Sequence, residues 1–199
     1  MIRLAMAIAA ASALAGGASA QPVAAPPGTS VTGGGLSMAC ADAAKKGLTG
    51  AQFETLCSSA LNSEPMLPLD RAGTLVNRGV IKLRATRFAE AIADFDAALE
   101  YKADFAEAYV NRGAADIGAH RFADGVKDLD KAIALGVKEP EKAYYNRGLA
   151  YEWLNDPKSA WLDYQKALEL APDWALVQQQ LWRFKISHAD AGAAPKANP

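Results

Sequence analysis

Apolar residues recur every three to four positions through six blocks of the chain, near 72–86, 88–101, 106–119, 122–135, 141–154 and 157–170. That period belongs to amphipathic helices, and the breaks between blocks are short enough for each helix to turn back on the one before. Phe88 and Phe122 open second helices after Thr86-Arg87 and His120-Arg121. Pro157 does the same in the third pair, at a first-turn position where its missing N–H costs nothing.

The pairs repeat one another. Asn77-Arg78-Gly79, Asn111-Arg112-Gly113 and Asn146-Arg147-Gly148 start 34 and then 35 residues apart, each in the first helix of a pair. A period in the thirties with two helices per period marks a stacked helical array. Gly79, Gly113 and Gly148 fall mid-helix, where Gly costs about 1 kcal/mol against Ala, so close packing is the expected reason for them. Ala91, Gly125 and Ala160 are placed to face them, with Phe95, Leu129 and Tyr164 one turn later.

These residues resemble the tetratricopeptide repeat family. The resemblance rests on Leu75, Gly79, Ala91, Phe95 and Ala98; on Tyr109, Gly113, Leu129 and Ala132; and on Tyr144, Gly148, Tyr151, Ala160, Tyr164, Ala167 and Pro172. It covers about half of the chain and implies an all-α, right-handed superhelical stack of helix-turn-helix repeats over 71–173. The second unit departs most: Gly125 replaces the usual Ala, Val137 the closing Pro, and Gly136-Val137-Lys138-Glu139 holds one extra residue. The loosest part of the stack is expected there.

Segments flanking the repeats complete the architecture. Residues 1–20 read as a cleaved secretory signal, with one charge at Arg3, an Ala/Leu/Ile core and Ala18-Ser19-Ala20 before Gln21. No Cys follows the cleavage site, so a soluble periplasmic or secreted protein is expected, with no stable membrane insertion. Residues 21–36 read as a Pro/Gly-rich disordered linker. An N-terminal helical hairpin and its connection fill 37–70, a C-terminal capping helix 174–188, and a disordered tail 189–199. In the capping helix Trp174, Val177, Leu181 and Phe184 share a stripe that fits the last hairpin, while Trp182 and Ile186 lie off it.

Cys40 and Cys57 are the chain's two cysteines, on opposite arms of the N-terminal hairpin. In an exported protein they read as a structural disulfide. Neither a Cys-x-x-Cys spacing nor nearby histidines supports a redox or metal pair.

Composition narrows the chemistry. The formal charge is −1, and −2 once Arg3 leaves with the signal, a balance that favours neither nucleic acid nor acidic membrane. The two histidines, His120 and His188, lack nucleophile or carboxylate partners at a catalytic spacing. Asp94-Phe95-Asp96 and Asp128-Leu129-Asp130 cannot each clasp one ion, because residues two apart on a helix point roughly 200° apart. No enzyme, cofactor or metal is expected. Instead Arg78 and Asp94, Arg112 and Asp128, and Arg147 and Asp163, each 16 apart, predict an ion pair between the two helices of every hairpin.

The first helices carry a second apolar line: Val76, Val80 and Leu83; Val110, Ala114 and Ile117; Tyr145, Leu149 and Trp153. In the family's superhelix that line faces the concave groove, with Asn77, Asn111 and Asn146 at its margin. Such a groove accepts apolar anchors and holds an extended backbone by paired amide hydrogen bonds. The alternative is that the N-terminal hairpin and the final helix cover it. Some family members bind a terminal carboxylate with a Lys/Asn/Arg clamp; here Asn111 and Lys142 match two clamp positions, while Val76, Val80 and Asn146 occupy the other three. The expectation is an exported adaptor that binds a less acidic, more apolar protein or peptide. Self-association through an outer face, as an architectural protein, is the other reading.

Overall fold

The computed structural model describes residues 22–24 and 35–192, with side chains up to residue 183. The segment read as a signal, most of the segment read as a linker, the end of the expected tail, and the side chains of Phe184, Ile186 and His188 lie outside the described residues. Nine helices and no strands occur among those described: α1 Gly35–Lys45, α2 Ala51–Ser63, α3 Pro68–Arg84, α4 Phe88–Tyr101, α5 Ala106–Gly118, α6 Phe122–Ala134, α7 Pro140–Trp153, α8 Pro157–Leu170 and α9 Ala175–Gly192. Helix α3 starts at Pro68, inside the connection expected to precede the repeats at residue 71; Pro68 and Pro140 sit at helix starts as Pro157 does. Residues 35 and 36, assigned by sequence to the linker, are the first of α1, whose amides at Leu36 and Ser37 donate to the Glu64 carboxylate at 2.8 and 3.1 Å.

Consecutive helices pack as hairpins, and the hairpins stack. Successive first helices, α3 on α5 and α5 on α7, also touch one another, whereas α4, α6 and α8 do not meet to a comparable extent. A stack whose first helices converge while its second helices diverge must curve, with the first helices on the inside. Helix α1 touches α3 in the same way, so the N-terminal hairpin prolongs the stack as a further unit. Cys40 and Cys57 join its two helices by a disulfide, Cα to Cα 4.9 Å, with both residues fully buried against α3.

Glycine sets the distance between helices within a hairpin. A Cβ on Gly79 would come 2.5 Å from Phe95 Cε1; on Gly113, 2.9 Å from Leu129 Cγ and 3.1 Å from the Gly125 carbonyl; on Gly148, 2.8 Å from Tyr164 Cε1 and 3.2 Å from the Ala160 carbonyl. Gly125 allows the second unit its close approach, since its own Cβ would meet the Gly113 carbonyl at 3.1 Å.

The turns are equally regular. Thr86, His120 and Asn155 adopt φ near +60°, and each closes its first helix with the paired amide bonds of a Schellman cap. The turn expected to be loose ends the same way: Gly136, at φ +72°, takes the left-handed position, and Val137 is buried behind it. The extra residue is therefore absorbed without opening the stack.

Candidate functional site

The Arg and Asp that recur with the repeat do meet. Arg78 Nη2 lies 2.6 Å from Asp94; Arg112 Nε and Nη2 donate to Asp128 at 2.6 and 2.7 Å; and Arg147 Nε and Nη2 donate to Asp163 at 2.8 and 2.7 Å. Sequence reasoning missed the third arm of each guanidinium. Arg112 Nη1 reaches back to Asp96 on α4 at 2.5 Å, Arg147 Nη1 to Asp130 on α6 at 2.5 Å, and Arg78 Nη1 to Ser58 on α2 at 3.0 Å. In each Asp-x-Asp the first carboxylate thus ties its own hairpin and the second ties the next unit. Residues two apart point to different neighbours, which is the signal that could have revealed this. The hydrogen bonds Arg112 donates to Asp128, set against burial and joined by the one it donates to Asp96, raise its pKa above the ordinary value. Burial raises the Asp163 carboxyl despite its arginine. These residues are committed to assembly and leave no free basic ligand surface on the arginine row.

On the inside of the curve the predicted groove residues separate into two sets. Val80, Tyr145 and Leu149 are core residues: Val80 packs in the cluster that holds Cys40 and Ala44, and Tyr145 and Leu149 pack with Trp174, Val177 and Leu181 at the start of α9. Their expected role as open groove floor is corrected by the N-terminal hairpin and the final helix, which cover them. Burial pushes the Tyr145 hydroxyl up to about 12, in keeping with an interior position. Lys142 is engaged by Glu139 at 2.5 Å.

The second set borders a cleft, with Leu83 and Ile117 buried in its wall and Trp153 exposed at its rim. Leu83 and Ile117 line a cleft of about 680 Å³ with Phe88, Phe122, His120 and Trp153, a size usual for ligand sites. Trp153, 62% exposed, stacks on Phe122 with ring centroids 5.3 Å apart and planes 2° from parallel. His120, left-handed at the turn, stands edge-on to both rings at 5.7 and 6.3 Å. The sequence marked Phe88, Phe122 and His120 as helix starts and turns. Phe88 and Phe122 share a phase of the repeat, 34 residues apart, with His120 two before Phe122, and that spacing is the signal that they would converge.

Asn77, Asn111 and Asn146 repeat along the inner row, and all three are fully buried. Asn111 Nδ2 donates to the Glu107 carbonyl at 2.8 Å, while its Oδ1 and both amide atoms of Asn77 have no partner among the described residues. Both polar side-chain atoms of Asn146 have a partner. Its Oδ1 accepts from the Val23 amide at 2.8 Å, and its Nδ2 donates to the Val23 carbonyl at 2.7 Å. Val23 itself packs against the cluster of Tyr145 and Leu149, and Ala24 against the cluster of Val80 and Leu83, so the segment lies across the inner helices. Nothing in the pattern of residues 21–36 predicted this contact.

Among the described residues no group of His, Cys, Asp or Glu could hold a metal ion, and no helix is long and apolar enough to cross a membrane.

Comparison with known proteins agrees with this geometry. Residues 141–173, the third hairpin, match the model of the tetratricopeptide repeat family. No curated protein matches the chain. Among solved structures, the chain is similar to the first TPR of Spaghetti (RPAP3) bound to the HSP90 peptide SRMEEVD, at 26% identity and a TM-score of 0.56, over 60% of this chain and 94% of that one. It is also similar to the TPR domain of OM64 from Arabidopsis, at 25% identity and a TM-score of 0.58, over 61% and 99%. A MamA double mutant shares the fold at 18% identity and a TM-score of 0.63, over 79% and 87%. One unit's sequence and the whole stack's shape both support the tetratricopeptide repeat family.

Proposed function

We propose that this protein is an exported scaffold that binds an extended segment of a protein or peptide partner on the inner face of its helical stack. The observation that carries the reading is the Asn146 amide, which clasps both backbone polar groups of Val23, as an inner-row asparagine would clasp any peptide. Beside it the cleft with Phe122 and Trp153 supplies apolar contact area at low entropic cost. The likeness to a TPR bound to an HSP90 peptide supports a peptide ligand in general. The ligand class here is different in chemistry. Lys142 is held by Glu139, and Val76, Val80 and Asn146 stand where a carboxylate clamp would need its other polar and basic groups, so a neutral backbone with small apolar side chains fits better than an acidic chain end. Export is supported by the sequence of residues 1–20 and by the Cys40–Cys57 bond, which suits an oxidising compartment.

A photo-cross-linking residue placed at Trp153 on the inner face, or at Leu162 on α8, tests the surface in an envelope extract. The reading expects the same discrete adduct from Trp153 and none from Leu162. Adducts from Leu162 alone would place binding on the outside and overturn it.

A further inference from the structure

The chain already carries a peptide in the position that the proposed function assigns to a partner. We infer that Pro22-Val23-Ala24 is a built-in ligand of the inner face, and that a partner segment of like chemistry, extended, uncharged and small-apolar, binds by displacing it. The inference rests on the peptide-binding reading of this surface and adds the occupant and its regulation.

Three observations carry it. First, the contact with Asn146 is made through the backbone of Val23 alone, in both directions, at 2.8 and 2.7 Å. A backbone contact is blind to side-chain identity, so another extended chain can reproduce it without loss. Second, the segment is not a structural brace of the first helix. The first-turn amides of Leu36 and Ser37 in α1 are satisfied by Glu64, and α1 is held to α2 and α3 by the disulfide and by Arg84 Nη1 donating to the Ala44 carbonyl. Third, the row holds unused polar atoms in the neighbouring registers: Asn111 Oδ1 and both amide atoms of Asn77 are buried without a partner. A longer extended ligand running along the row could satisfy what the three-residue segment does not, which gives a partner a source of advantage over the resident segment.

The chemistry of the resident residues states what the partner looks like. Val23 enters an apolar cluster with Tyr145, and Ala24 a second one with Leu83, so small or β-branched apolar residues suit both places and a charge suits neither. Arg84, also at the cleft, is pulled below its ordinary pKa by burial and is already bound to Ala44.

The test uses the full chain and the octapeptide Gln-Pro-Val-Ala-Ala-Pro-Pro-Gly, which is residues 21–28 of this sequence, labelled at its carboxyl end and followed by fluorescence anisotropy. Val23→Pro removes the N–H that donates to Asn146 and leaves the folded units untouched. The inference expects the octapeptide to bind the Val23→Pro chain about fivefold more tightly than the unmutated one, the share of a single lost hydrogen bond. Adding Asn146→Ala to Val23→Pro should abolish that binding while leaving the melting curve cooperative. Slow hydrogen exchange at the Val23 amide of the unmutated chain is expected alongside. Equal binding to both chains would overturn the inference and leave the peptide-binding reading standing. Absence of binding to either chain with a protected Val23 amide would show a fixed part of the fold. Absence of binding with a freely exchanging Val23 amide would show that the segment does not occupy the face. Either result overturns the proposal.

Discussion

Replacing Gly148 by Ala tests the packing that places the inner helices. The new methyl carbon would stand 2.8 and 2.9 Å from Tyr164 Cε1 and Cδ1 and 3.2 Å from the Ala160 carbonyl oxygen. Carbon contacts relax only from about 3.5 Å outwards. The tyrosine ring cannot swing away, because Tyr164 is fully buried and packed on Tyr145 at 5.9 Å. The carbonyl belongs to the backbone of α8 and gives even less. Against this, Ala gains about 1 kcal/mol over Gly from helix propensity. Overpacking a filled core costs typically about 1–3 kcal/mol. The strain term should win, with a net loss of about 1 kcal/mol, which in a domain of this size lowers Tm by about 2–4 °C. Gly35→Ala is the control, since nothing lies within 4 Å of the methyl position there. Thermal unfolding followed by circular dichroism should show a lower Tm for Gly148→Ala and none for Gly35→Ala. A Gly148→Ala chain that melts at or above the unmutated temperature would refute the claim that this glycine is a spacing residue.

Arg112→Met should cost about 2 kcal/mol in denaturant unfolding, below the value for a fully buried pair because the Arg112 and Asp128 side chains are 23% and 12% exposed. Asp96→Ala, which removes the half-exposed link between units, should cost under about 0.5 kcal/mol. Cys40→Ala with Cys57→Ala should lose about 3 kcal/mol, the chain-entropy value for closing a loop of this length, and reductant should reproduce the loss in the unmutated chain. The Asp156 carboxylate accepts from the Ser159 hydroxyl at 2.7 Å and amide at 3.1 Å, bonds that lower its pKa. Its stabilisation is therefore present above the unfolded carboxyl value of about 3.9 and lost as pH falls through the folded one. The gap in Tm between the unmutated chain and Asp156→Asn should accordingly narrow in acid.

The hairpins were legible because their cause is local and periodic. Gly79, Gly113 and Gly148 recur with partners that need them, and each Arg recurs with a carboxylate at a fixed distance along the chain. Links between units were harder to read. Asp96 and Asp130 looked redundant beside Asp94 and Asp128 until the stack brought the next guanidinium against them. The inner face was left between an open groove and a covered one for a related reason. A sequence shows that Tyr145 and Leu149 form an apolar line, but α9 and Val23 decide that the line is interior. Sequence also located Asn146 on the groove margin without its occupant, since a segment with one residue's backbone on the asparagine and two short side chains against the clusters makes no periodic pattern.

The most direct measurement follows the side-chain amide resonances of Asn146 by NMR while the octapeptide is titrated into the Val23→Pro chain. The account predicts large shifts at Asn146 and in the Trp153 indole, with α4, α6 and α8 largely unmoved. Shifts confined to those second helices, with Asn146 silent, would contradict it.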